Sequence, residues 1–166
     1  MALIKNVETG FYRIPLPLTL SDSTHGEIKA FELITIRLRD SEGAEGVGYT
    51  YTVGRNGGSV ADILRREIPE LIESQEADDT EAIWQRVWWA LHYGGRGGPC
   101  VLALSALDIA LWDLKARRAN LPLWRMLGGF DRRVPCYAGG IDLDLSIENL
   151  LKQTDDTIAD PFRLVY

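Results

Sequence analysis

Hydrophobic positions change their rhythm near residue 59, from an alternation of two to a repeat of three and four. Residues 31–39 alternate strictly, with Phe31, Leu33, Thr35 and Arg37 on one side and Glu32, Ile34, Ile36 and Leu38 on the other. A period of two with β-branched content predicts a strand. An earlier strand is expected over residues 4–14, ended by Pro15 and Pro17, which cannot donate to a sheet ladder. The polar run 21–26 between them reads as a flexible loop, and 54–58, with three glycines, as a second one. Asp40-Ser41-Glu42-Gly43 makes a turn into a third strand over 46–52. Short connections favour antiparallel neighbours, so the three strands form a meander.

Beyond residue 59 the pattern is helical. Val60, Ile63 and Leu64 share a face, and Pro69 is expected to break or kink that helix. A second helix is predicted to start at Asp78, whose carboxylate caps the chain with Glu81 three residues on. Ile83, Trp84, Val87, Trp88 and Leu91 give it a buried stripe. The glycine-rich connector 94–98 leads to Pro99, suited to the first turn of a third helix. There Val101, Leu104, Leu107, Leu111 and Leu114 repeat at three and four, while Leu102, Ile109 and Trp112 extend the apolar surface around most of the cylinder. Such a helix should be buried on most sides. Pro122 terminates it, a short turn follows over 123–127, and Gly128-Gly129 caps that turn. A strand over 134–138, a helix over 146–159 and a strand over 162–166 then read as a parallel βαβ unit.

Composition narrows the chemistry. The 166 residues suit one ordinary domain, and 46% hydrophobic with 25% charged residues is the balance of a soluble globular protein. The net charge of −6, with basic residues scattered, argues against a nucleic-acid surface or an anionic-membrane surface. No run approaches a membrane span and no signal-peptide core is present, so the cytoplasm is the expected compartment. Cys100 and Cys136 read as two buried thiols in preference to a disulfide. Asp108 and Asp113 are not a paired-carboxylate site, because five helical residues turn them about 140° apart. Pairing with Lys115 or Arg117 is expected instead. The connector 94–98 follows a helix and lacks a Lys-Ser/Thr ending, which argues against a phosphate cradle.

Ala106-Leu107-Asp108-Ile109-Ala110-Leu111-Trp112-Asp113-Leu114-Lys115-Ala116, followed by Leu121-Pro122-Leu123-Trp124-Arg125-Met126-Leu127-Gly128-Gly129, resembles the signature of the mandelate racemase and muconate lactonizing group of the enolase superfamily. Gly46-Val47-Gly48-Tyr49-Thr50-Tyr51 and Trp88-Trp89-Ala90-Leu91-His92-Tyr93 are most similar to its galactarate and talarate dehydratases. The resemblance implies an α+β fold: a three-stranded meander followed by a helical bundle, serving as a capping domain over residues 1–130. Residues 131–166 would be the short βαβ start of a (β/α) barrel. In the family, barrel residues hold Mg²⁺, which stabilises an enediolate, and two mobile capping loops close on an acid-sugar substrate.

On that pattern the first loop offers Ser23, Thr24 and His25, and the second Tyr51, Arg55 and Asn56. His25 is either a hydrogen-bonding partner for a sugar hydroxyl or carboxylate, or an exposed loop histidine. Arg55 is either a partner for a distal carboxylate or, favoured on base rates, a solvated turn residue. The family's Lys-x-Lys motif would begin at Tyr166 or just beyond, so the chain reads as truncated before its base. No catalytic residue, metal ligand or cofactor is expected within it, and acid sugar would bind only with a barrel supplied. The expected product is the capping part of a Mg²⁺-dependent aldarate dehydratase or racemase-like enzyme, inert alone. The alternatives are a non-catalytic self-associating or interaction module, with a homo-oligomer expected, and half of a split enzyme.

Overall fold

The computed structural model describes residues 1–131, 133 and 144–159. The strands read over 134–138 and 162–166, together with Cys136, lie outside the described residues. The chain divides into two compact units, Met1–Arg13 with Glu32–Phe130, and Ile14–Phe31 with Asp131–Tyr166.

Strands β1 (Ile4–Asp22), β2 (Gly26–Asp40) and β3 (Glu45–Thr52) form one sheet in the order β1-β2-β3. β2 and β3 run antiparallel, with Ile34 opposite Thr50, Ile36 opposite Gly48 and Leu38 opposite Gly46. Ile34, Ile36 and Leu38, which share one side of the alternation, are fully buried. The expected stop at the prolines is corrected: β1 runs through both Pro15 and Pro17. β1 is an edge strand, and residues two apart direct their backbone nitrogens to the same side, so both prolines fit with that side outward. The expected loop over 21–26 is also corrected, since only Ser23, Thr24 and His25 form the turn between β1 and β2.

Helices follow as α1 (Gly57–Asp62), a π-helical segment (Ile63–Glu67), α2 (Ile68–Ile72), α3 (Thr80–Ala90), α4 (Gly98–Arg118) and α5 (Leu123–Met126). Pro69 neither breaks nor ends the run. It enters α2 in its first turn, and the wider π-helical turn before it accommodates the ring and the lost donor. Asp78 does not cap α3, which starts at Thr80 without a side-chain cap. Its carboxylate instead faces Arg118 Nε at 3.4 Å, and its carbonyl accepts from Lys115 Nζ at 3.0 Å. The segment before α3 is tied to the chain's start: Ile4 N–H donates to the Gln75 carbonyl, and Ala77 N–H to that of Ala2, both at 2.9 Å.

α4 packs along β3. Its buried face contains Ala103, Ala106 and Ala110 as well as Leu104, Leu107, Leu111 and Leu114. Burial on most sides is therefore corrected, because Ile109 is exposed and Trp112 is half-buried. Small residues on both partners bring backbone to backbone. A Cβ added to Gly48 would lie 1.9 Å from the Ala106 carbonyl oxygen, and one on Gly46 2.3 Å from that of Ala110. Asp113 strengthens the seam by accepting the Val47 N–H at 2.8 Å and pairing with Arg117 at 2.9 Å, as the sequence suggested. Asp108 turns elsewhere; burial, then the charge of Glu81, pushes its carboxyl above the ordinary range.

In the second unit, α6 (Ile147–Ala159) occupies the residues predicted helical. Ser146 Oγ caps it by accepting the Asn149 N–H at 3.3 Å. No helix among the described residues is long and apolar enough to cross a membrane.

Candidate functional site

Both segments singled out by the sequence are exposed and built on strand ends. The first is the β1–β2 turn. Asp22 closes it: its Oδ1 accepts the N–H of Thr24 at 2.8 Å and of His25 at 2.6 Å. The same carboxylate takes the His25 ring, with Nδ1 2.8 Å from Oδ2. The His25 N–H, then its ring, and the Thr24 N–H together outweigh desolvation and hold the Asp22 carboxyl below its ordinary value. Ser23, Thr24 and His25 are thus brought together in one turn, with Gly26 at φ 67° leading into β2.

The second segment follows β3. Tyr51 lies on the outward face of β3 with Val47 and Tyr49, opposite Leu33. Asn56 adopts φ 65° and precedes α1 without a side-chain cap, while its carbonyl accepts the Val60 N–H at 3.2 Å. Arg55 is exposed between them and forms no ion pair among the described residues. Sequence reasoning missed the residue that anchors this segment. Glu32 Oε2 accepts Thr52 Oγ1 at 2.6 Å and the Gly57 N–H at 3.2 Å, joining β2, the end of β3 and the start of α1. The available signal was an acid in the middle of β2, on the side that carries Ile34, Ile36 and Leu38.

A shallow depression lies between α3 and α4, lined by Trp88, Leu91, His92, Arg96, Cys100 and Leu104 among others. Cys100 is a free thiol and only half-buried, which corrects its reading as buried. Arg96 lies over the rings of Trp88 and Trp89 at 5.3 and 5.4 Å. The described residues do not fit a magnesium ion, for no three His, Cys, Asp or Glu side chains among them group to hold one.

Residues 7–128 match the family model described as mandelate racemase / muconate lactonizing enzyme, N-terminal domain. The chain belongs to that family. Its α+β meander and helices are those of the enolase-type N-terminal domain. The chain is 52% identical over 163 residues to a 3,6-anhydro-α-L-galactonate cycloisomerase from Streptomyces coelicolor, covering 98% of this chain and 45% of that protein. It is 38% identical over 132 residues to an L-talarate/galactarate dehydratase from Salmonella typhimurium, covering 76% of this chain and 33% of the dehydratase. Among solved structures it resembles a racemase from Streptomyces coelicolor A3(2) with bound magnesium at a TM-score of 0.94 and 53% identity, over 97% of this chain and 45% of that one. The chain thus spans less than half the length of these mandelate racemase/muconate lactonizing relatives.

Proposed function

We propose that the chain is the capping-domain part, residues 1–130 with a following barrel segment over 131–166, of a Mg²⁺-dependent enzyme acting on acid sugars by dehydration or cycloisomerisation. The observation that carries this reading is 52% identity to the cycloisomerase along 98% of the chain, including both exposed segments. On this reading Ser23, Thr24, His25, Tyr51, Arg55 and Asn56 meet the substrate. The metal and the acid–base groups come from the part of the relatives' length that the chain does not span. A metal held there would supply stabilisation of negative charge beside the substrate carboxylate.

The purified chain with Mg²⁺ is expected to show no turnover of galactarate, talarate or 3,6-anhydro-α-L-galactonate. Joined to the remainder of the Streptomyces coelicolor cycloisomerase in place of that enzyme's own first part, it should restore cycloisomerisation. Turnover by the chain alone, or a folded but inert chimera, would reject the reading.

A second reading, a self-associating module, is favoured by apolar side chains left uncovered. Phe130 is 93% exposed, and Ile147, Leu150, Leu151 and Ile158 form one exposed stripe along α6. Such a stripe on an amphipathic helix favours a partner. Light scattering at micromolar concentration should give at least twice the 18.6 kDa monomer mass, and a steady monomer would exclude a homo-oligomer.

A further inference from the structure

We propose that Asp22 is a positioning residue for His25, holding the neutral imidazole with its proton on Nδ1 so that Nε2 faces outward as an acceptor for a sugar hydroxyl. This deepens, and rests on, the reading of the β1–β2 turn as substrate-facing.

Two backbone N–H groups, from Thr24 and His25, clamp Asp22 Oδ1 at 2.8 and 2.6 Å, so the acid cannot swing away without opening the turn. Those donors, with the ring, also keep it ionised. An ionised carboxylate accepts hydrogen bonds and never donates them. The ring nitrogen 2.8 Å from Oδ2 must therefore be the donor, which puts the His25 proton on Nδ1. In the neutral ring Nε2 then carries the lone pair, and the side chain is 52% exposed. A carboxylate orienting an imidazole in this way selects its tautomer and the direction it offers a partner.

The neighbouring charges do not compete for the pair. On β2, Glu27 and Lys29 are paired with each other at 2.5 Å. The consequence is selectivity. A neutral His25 held in this tautomer pairs with a hydroxyl donor, whereas the opposite tautomer would offer an N–H suited to a carboxylate. Of the two partners that a loop histidine could serve on an acid sugar, the geometry chooses the hydroxyl.

The chain has only two histidines, which makes the test direct. His92 is an internal reference, since its Nδ1 faces the Trp89 carbonyl at 2.6 Å and a carbonyl also only accepts. Long-range proton–nitrogen spectra of the ¹⁵N-histidine-labelled chain, taken near pH 8 with His25→Gln for assignment, should show both rings with the proton on Nδ1. Free histidine prefers the opposite tautomer. Asp22→Asn keeps an oxygen for the two backbone donors but turns an NH₂ toward the ring. It should move the proton of His25 alone to Nε2. A wild-type His25 carrying its proton on Nε2 would overturn the proposal, as would an unchanged His25 in Asp22→Asn with the turn amides in place. The spectra need no substrate, so an inert chimera would reject the enzymatic reading and leave the tautomer result standing.

Discussion

Gly48→Ala is expected to destabilise the first unit by about 3 kcal/mol or more, lowering its thermal midpoint by roughly 10 °C. The cause is space. Gly48 does not sit in the left-handed region, so its backbone would accept any residue. The added methyl, however, would lie 1.9 Å from the Ala106 carbonyl oxygen and 2.6 Å from the Ala110 nitrogen. Both are backbone atoms inside α4 and cannot rotate away as a side chain could. α4 would have to lift off β3, opening the layer that buries Leu107, Leu111 and Leu114 against Ile34, Ile36 and Leu38. Gly58→Ala is the control. It lies in α1 with open space around its Cβ position, and should be neutral or stabilising by about 0.5–1 kcal/mol. Urea unfolding followed by circular dichroism separates the two. Equal midpoints for Gly48→Ala and wild type would show that α4 and β3 are not in backbone contact.

That contact illustrates what the sequence could and could not reveal. Period-two alternation in β2 and the leucine repeat in α4 are local properties: one of the two sides of β2 and the Leu104, Leu107, Leu111 and Leu114 stripe are buried, while the wider burial expected for α4 is not. The role of Gly46 and Gly48 is not local. The glycines read as strand residues, and the alanines facing them, some 60 positions away, carry no hydrophobic signal as strong as leucine. The prolines failed in the opposite direction. Pro15 and Pro17 carry a strong local rule against strands, yet an edge position satisfies it, and edge status depends on the topology of the whole sheet.

The candidate site divides along the same line. Its six residues could be picked out only through family resemblance, because nothing in a short polar turn distinguishes a ligand contact from solvent exposure. The residues that hold those segments, Asp22 and Glu32, read as an ordinary turn acid and an ordinary strand acid. Asp22 sits three positions from its partner ring and follows from Asx-turn chemistry. Glu32 reaches Thr52 and Gly57, and only the folded meander brings those together.

Arg118→Met is expected to cost about 3 kcal/mol near neutral pH, and the cost should shrink as the pH falls. Asp40 is the reason. Its side chain is fully buried where β2 ends, accepting the N–H groups of Glu42 and Ala44 at 2.9 Å each. Arg118, at the end of α4, donates to its Oδ2 at 2.5 Å and to Glu42 at 3.2 Å. Burial pushes the Asp40 carboxyl up, but Arg118 and the two backbone donors together hold it below its ordinary range. A folded pKa below the unfolded value of about 3.9 means the carboxylate contributes its full stability above that value. The contribution is lost as pH falls through the lower, folded value. Without Arg118 only the two backbone donors are left to offset burial, so the folded pKa rises. Asp40 then contributes less to stability at neutral pH, and its protonation in acid removes most of the difference. The gap in urea midpoint between wild type and Arg118→Met should therefore be wide at pH 7 and narrow at pH 3. Adding Asp40→Asn to Arg118→Met should recover part of the loss at pH 7, because no unpaired charge remains buried. A gap of the same size at both pH values, or a double variant no better than the single, would place the role of Arg118 in packing instead.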